Sequence, residues 1–190
     1  MLYVSTHGMS QSRQPSGVVL ISWKLRSATR SMSSLNLSGK SDWWNTTALL
    51  HSSDQHRCAE AISAASKRHK SAVQPGHVVA EFTFGFWTGL VANRYHERLW
   101  VPALHRAFPQ LNEARRELHR KLETLRKLRN RIAHHEPAFA RNLAADHERL
   151  LHVLEAISPE AALWVRQNSR VLQTLSYREQ ILNGTRDTTF

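Results

Sequence analysis

Residues 111–134 read LNEARRELHRKLETLRKLRNRIAH, and their spacing decides the fold class. Leu111, Leu118, Leu125 and Ile132 recur every seven residues, with Ala114, Leu122 and Leu128 at neighbouring positions of the same stripe. Seven residues are close to two helical turns, so the spacing predicts one long amphipathic helix over residues 111–134. The opposite face carries Arg115, Arg116, Arg120, Lys121, Arg126, Lys127, Arg129 and Arg131 against Glu113, Glu117 and Glu123. Glu117 with Lys121 and Glu123 with Lys127 are spaced to form helix-stabilising pairs, and a surplus of positive charge remains after them.

Working outward, residues 53–70 carry Cys58, Ala61, Ile62 and Ala65 at helical spacing, and Gln74-Pro75-Gly76 ends that segment. Residues 78–93 predict a single helix, because apolar side chains persist past strand length. Gly85 and Gly89 lie one turn apart in it and permit another helix to approach closely. The apolar stretch includes Glu81 and is shorter than the roughly 20 residues a membrane span needs. Tyr95, Leu99, Trp100, Ala103, Leu104 and Phe108 predict a short helix with Pro102 in its first turn or at a kink, stopped by Pro109. Downstream, residues 146–157 form another helix, Ser158-Pro159-Glu160 supplies the cap and first turn of the next, and residues 161–175 complete the core. No segment alternates as a sheet strand would. The expected class is all-α, a bundle of about five to seven helices.

The chain has 190 residues, about one domain's worth, and a formal charge of +11 with a sequence pI near 10.8. Such an excess favours polyanions, nucleic acid first, through phosphate attraction and counterion release. Five of those eleven charges (Arg13, Lys24, Arg26, Arg30, Lys40) lie in residues 1–40, a Ser-rich segment without Asp or Glu, leaving six on the rest. Residues 1–40 are expected to be a poorly ordered arm, residues 41–183 the helical domain, and residues 184–190 a frayed end. The lone Cys58 excludes an internal disulfide and, on an alanine-rich face, reads as a small packed hydrophobe. No export segment is expected, so the reading is a cytoplasmic protein that is not held in a membrane.

Several chemistries drop out. No two of the twelve histidines are three or four positions apart, so no helix face offers a two-His chelate and no metal site or cofactor is expected. Phosphate-binding glycine loops and the G-x-S-x-G elbow are absent from the sequence.

The densest chemistry is Leu128-Arg129-Asn130-Arg131-Ile132-Ala133-His134-His135-Glu136-Pro137. Asn130 and His134 are four apart on one face, with Arg129 one position round on the same edge. Leu128, Ile132 and Ala133 are expected to anchor the segment to the core, with His134 and His135 in a last turn ended by Pro137. Cations at that end are favoured by the helix dipole, which is a purely structural reason for part of the motif. The chemical reason is RNA cleavage by the ribose 2′-hydroxyl, which needs a base, an acid and a cation to hold the charge of the phosphorane. Histidine suits the first two and arginine the third.

Arg129-Asn130-x-x-x-His134 resembles the Arg, polar residue and His motif of the HEPN superfamily. The ordered string of Phe84-Gly85-Phe86-Trp87, Arg94-Tyr95, Leu99-Trp100, Ala107-Phe108-Pro109, residues 128–137, Asn142-Leu143 and Asp146-His147 is similar to bacterial Abi-like (abortive infection) proteins over residues 42–168. The resemblance implies a HEPN-like helical bundle, a homodimer, and an endoribonuclease toxin of phage defence under the control of an antitoxin or regulator. Its substrate would be RNA, with tRNA one target. It implies Arg129, Asn130 and His134 as the catalytic set, with His135 and Glu136 as auxiliaries. Arg126, Lys127 and Arg131 on the basic face would bind RNA. Helices expected before Trp43-Trp44 have no counterpart in residues 1–40. The alternative reading is a non-catalytic RNA-binding or protein-interaction member of the same fold, in which the motif survives as a helix terminus.

Overall fold

A computed structural model describes residues 49–70, 73–138, 140–178, 180 and 183–185. The readings of residues 1–40, of Trp43-Trp44 and of most of residues 184–190 lie outside these. The described chain is all-α, with seven α-helices and no strand. They are α1 (Ser52–Arg68), α2 (Pro75–Glu81), α3 (Phe84–Gly89), α4 (Arg115–Ala133), α5 (Leu143–Ile157), α6 (Pro159–Asn168) and α7 (Val171–Ser176). Helix α5 packs against α4, α6 and α7, while α3 lies on α4 and α1 on α2. No helix among the described residues is long and apolar enough to cross a membrane.

The leucines of the apolar stripe do what their spacing predicts over the first turns of α4: Leu118, Leu122 and Leu125 are buried. Each contributes about 2 kcal/mol by leaving water. Leu128 is only half-buried, and Ile132 is 52% exposed with Ala133 exposed beside it. The expected anchoring of the motif by Ile132 and Ala133 is therefore corrected: among the described residues, the last turn of α4 has no core to pack on.

The predicted helix over residues 78–93 is two helices. Phe82 and Thr83 are extended between α2 and α3, and the Thr83 hydroxyl accepts from the Phe86 N–H at 3.2 Å. Phe82 stacks on Phe86 and meets Trp87 edge-on at 5.6 Å, so the residue before the cap staples the first turn of α3. The close approach expected of Gly85 is present, because a β-carbon there would stand 3.2 Å from Arg126 Cδ on α4.

The helix predicted over residues 95–108 is irregular although its apolar residues are buried. Short 3₁₀ turns at Asn93–Tyr95 and Leu104–Ala107 flank a π turn at His96–Trp100, closed by the Val101 N–H to the His96 carbonyl at 2.9 Å. Pro102 has no N–H to continue a regular ladder. Asp54, almost fully buried, ties this segment to α1 by accepting from Tyr95 Oη and Arg94 Nη2, each at 2.6 Å. Cys58, one turn on, is buried as expected, and burial, reinforced by the Asp54 charge, pushes its thiol up to about 12.

Ser158 and Pro159 start α6 as predicted, the Ser158 hydroxyl accepting from the Ala161 N–H at 3.2 Å. The core does not extend to residue 175, however, since α7 buries no residue and leaves Leu172 exposed. His147 is buried because α5 is covered around most of its circumference, and neither ring nitrogen has a hydrogen bond among the described residues.

Candidate functional site at the corner between α4 and α5

The sequence stretch 128–137 forms a corner. Helix α4 ends at Ala133 rather than at Pro137, with His134 as its C-cap and its N–H bonded to the Asn130 carbonyl at 2.9 Å. His135 follows at φ 56°, in the left-handed region, and its N–H reaches the Ile132 carbonyl at 3.2 Å. Glu136 N–H returns to the Arg131 carbonyl at 2.8 Å. These two bonds are the Schellman stop, which satisfies carbonyls that a helix end otherwise leaves open. His134 and His135 thus lie beyond the last turn, where the chain reverses toward α5, whose first turn is capped by Asn142 Oδ1 accepting from the Ala145 N–H.

Around this corner Lys127, Asn130, Arg131, Glu136 and Arg141 line an open cavity of about 320 Å³. Arg129 is exposed, and its Nη1 donates to Asn130 Oδ1 at 3.2 Å, so the Asn130 amide is oriented by the arginine beside it. His134 is exposed at the end of the same face. Glu136 pairs with Arg131 (Nε to Oε2, 3.3 Å) and Asp146 with Arg141 and Arg149, so neither carboxylate neutralises Arg129 or occupies His134. Arg129 and Asn130 are thus in contact, His134 follows one turn on with its backbone N–H on the Asn130 carbonyl, and only Asn130 of the three lines the cavity.

The three basic residues assigned to RNA binding have different surroundings. Lys127 is exposed and has no ion pair among the described residues. Arg131 is half-exposed and held by Glu136. Arg126 is turned inward: its Nε and Nη2 donate to Glu123 Oε2 at 2.9 and 2.8 Å, and Glu123 Oε1 accepts from the Thr88 hydroxyl at 2.9 Å. Burial pushes Glu123 up, but the hydrogen bonds from Arg126 and Thr88 outweigh it and hold the carboxyl below its usual range. The expected four-apart pairs do not form, because Glu123 takes Arg126, Lys121 reaches back to Glu113 at 2.7 Å, and Glu117 takes Arg120 at 2.6 Å. A guanidinium bonds a carboxylate through two N–H groups where an ammonium offers a point charge, which favours Arg126 over Lys127.

Two residues of the corner are not picked out by the motif. Arg141 lines the cavity, and Asp146, 2% exposed, holds it from the first turn of α5. The sequence signal that could have found them is an Asp with arginines five before and three after it, at a helix start marked by Asn142. Among the described residues no three His, Cys, Asp or Glu side chains gather as a metal site. Comparison of the chain with family models, with curated proteins and with solved structures returns no match.

Proposed function

We propose that the chain is a metal-independent endoribonuclease of the Abi-like HEPN type, acting as a toxin in phage defence. The observation that carries the reading is the openness of the motif: Arg129 and His134 are exposed, Arg129 bonds Asn130 beside a basic cavity, and the nearby carboxylates are engaged by other arginines. In this reading the His134 imidazole exchanges the proton of the 2′-hydroxyl or of the leaving oxygen. Arg129 holds the charge that builds on the phosphorane, and the Asn130 amide, its oxygen fixed by Arg129, donates to a phosphate oxygen. One chain supplies one imidazole at the motif position, so a homodimer with facing edges would supply both base and acid. Glu136 acts on Arg131, and His135 on the chain reversal. A toxin of this kind needs a regulator or antitoxin.

A non-catalytic RNA-binding role is the second reading, and one observation favours it: His134 does not line the cavity. Purified protein incubated with total bacterial RNA and a chelator decides between them, beside His134→Ala and Arg129→Ala. The proposal expects cleavage products, tRNA fragments among them, from the unmodified protein and a loss of at least about a hundredfold in both variants. Equal cleavage by all three removes the site assignment, and binding without cleavage selects the second reading.

A further inference from the structure

The cavity at the corner has one cation whose direction is fixed from behind. Arg141 Nε and Nη2 both bond Asp146 Oδ2 at 2.8 Å, and the other oxygen of that carboxylate accepts from Arg149 Nη1 at 2.9 Å. Asp146 is 2% exposed, so water does not compete for it, and Arg141 is itself 21% exposed. Surface arginines lose side-chain freedom when they grip a ligand, and one already held in place loses less. Nη1 of Arg141 has no bond among the described residues. Two arginines share the single charge of Asp146, so the cluster keeps one net positive charge. Lys127 adds a cation with no ion pair among the described residues to the same cavity, whereas Arg131 is partly neutralised by Glu136.

We propose that Arg141, with Lys127, holds a phosphate of the RNA strand in this cavity, next to the phosphate handled by Arg129, and that Asp146 is the residue that positions Arg141. This rests on the RNA reading of the same corner. It makes the ligand a strand with consecutive phosphates, so a mononucleotide binds poorly.

The test uses the full chain, a fluorescein-labelled 2′-O-methylated single-stranded RNA that cannot be cleaved by its own 2′ oxygen, and anisotropy titrations over a range of salt. Arg141→Gln and Arg149→Gln each remove one arginine from Asp146, but only Arg141 lines the cavity. Arg141→Gln is expected to weaken binding roughly tenfold and to lower the slope of log K against log salt by about 0.7, the value for one phosphate of a single strand. Arg149→Gln, whose side chain does not line the cavity, is expected to have a clearly smaller effect on both. Arg141→Lys recovers the salt slope without the full affinity, and this variant also covers a failure of Arg141→Gln to fold. Asp146→Asn weakens affinity even though it removes a negative charge beside the cavity, as expected of a positioning residue. Equal effects of Arg141→Gln and Arg149→Gln, no effect of either, or no binding by the unmodified chain overturns the proposal. Cleavage of natural RNA is scored separately. Binding that depends on Arg141 without cleavage upholds the phosphate contact and removes the nuclease, and cleavage indifferent to Arg141→Gln does the reverse.

Discussion

Arg131 and Glu136 are joined twice, by the Glu136 N–H to the Arg131 carbonyl at 2.8 Å and by Arg131 Nε to Glu136 Oε2 at 3.3 Å. They are the two positions that usually make an apolar contact across a Schellman stop, and here an ion pair takes its place. Between them His135 sits at φ 56°, where glycine is the usual occupant and a side chain costs on the order of 1 kcal/mol. His135→Gly is expected to stabilise the fold by about 0.5–1 kcal/mol, seen as a higher urea midpoint, and to leave RNA cleavage unchanged. More stability with less cleavage would transfer the catalytic proton from His134 to His135.

The side-chain half of that link joins groups 42% and 52% exposed, so it contributes no more than about 0.5 kcal/mol. Glu136→Gln leaves the backbone stop intact and removes the one carboxylate that lines the cavity among the described residues. RNA affinity is expected to rise by roughly threefold to tenfold at low salt, with a steeper salt dependence, as Arg131 becomes available to phosphate. Weaker binding in the same titration contradicts this and gives Glu136 a direct part in holding RNA.

Arg126 and Lys127 are neighbours in sequence with opposite expected phenotypes. Arg126→Ala leaves the partly buried Glu123 with the Thr88 hydroxyl as its remaining hydrogen-bond donor and is expected to cost about 1–3 kcal/mol in urea unfolding. Lys127→Ala, on an exposed side chain, should change stability by less than about 0.5 kcal/mol and weaken RNA binding about evenly across sequences. If Arg126→Ala unfolds at the wild-type midpoint but binds RNA less well, the inward pairing of Arg126 is not what the chain uses in solution.

The features legible in the sequence are those that depend on local periodicity. Leu118, Leu122 and Leu125 announce α4, and Tyr95, Leu99, Trp100 and Leu104 announce buried residues even where the backbone is irregular. Ile132 keeps the same heptad yet is exposed, because where the bundle stops is set by the other helices and not by α4. The stop after Ala133 is illegible for another reason: His135 occupies the position that a glycine would have advertised. Thr83 caps α3, but the apolar residues on both sides of it read as one continuous helix. Of the site, Arg129, Asn130 and His134 follow from spacing along one helix. Arg141 does not, because its contribution depends on the chain turning at His135 and on a carboxylate from α5.

His119 supplies the pH dependence. Burial lowers its proton affinity, the nearby Glu123 opposes this, and the charges of Arg115 and Arg94 add to the lowering, which prevails. The folded state therefore prefers the neutral imidazole, while the unfolded chain takes up a proton at about pH 6.5. With the folded value the lower of the two, the contribution of His119 is fully present above about pH 6.5. It is lost as pH falls through the window between the unfolded and folded values. The measurement is a difference: urea unfolding of the wild type and of His119→Gln at a series of pH values. The stability advantage of the wild type over the variant should shrink as pH drops below about 6.5 and stay level above it. An advantage that grows on acidification would mean that Glu123 outweighs burial and the two arginines, and that His119 is charged in the folded protein.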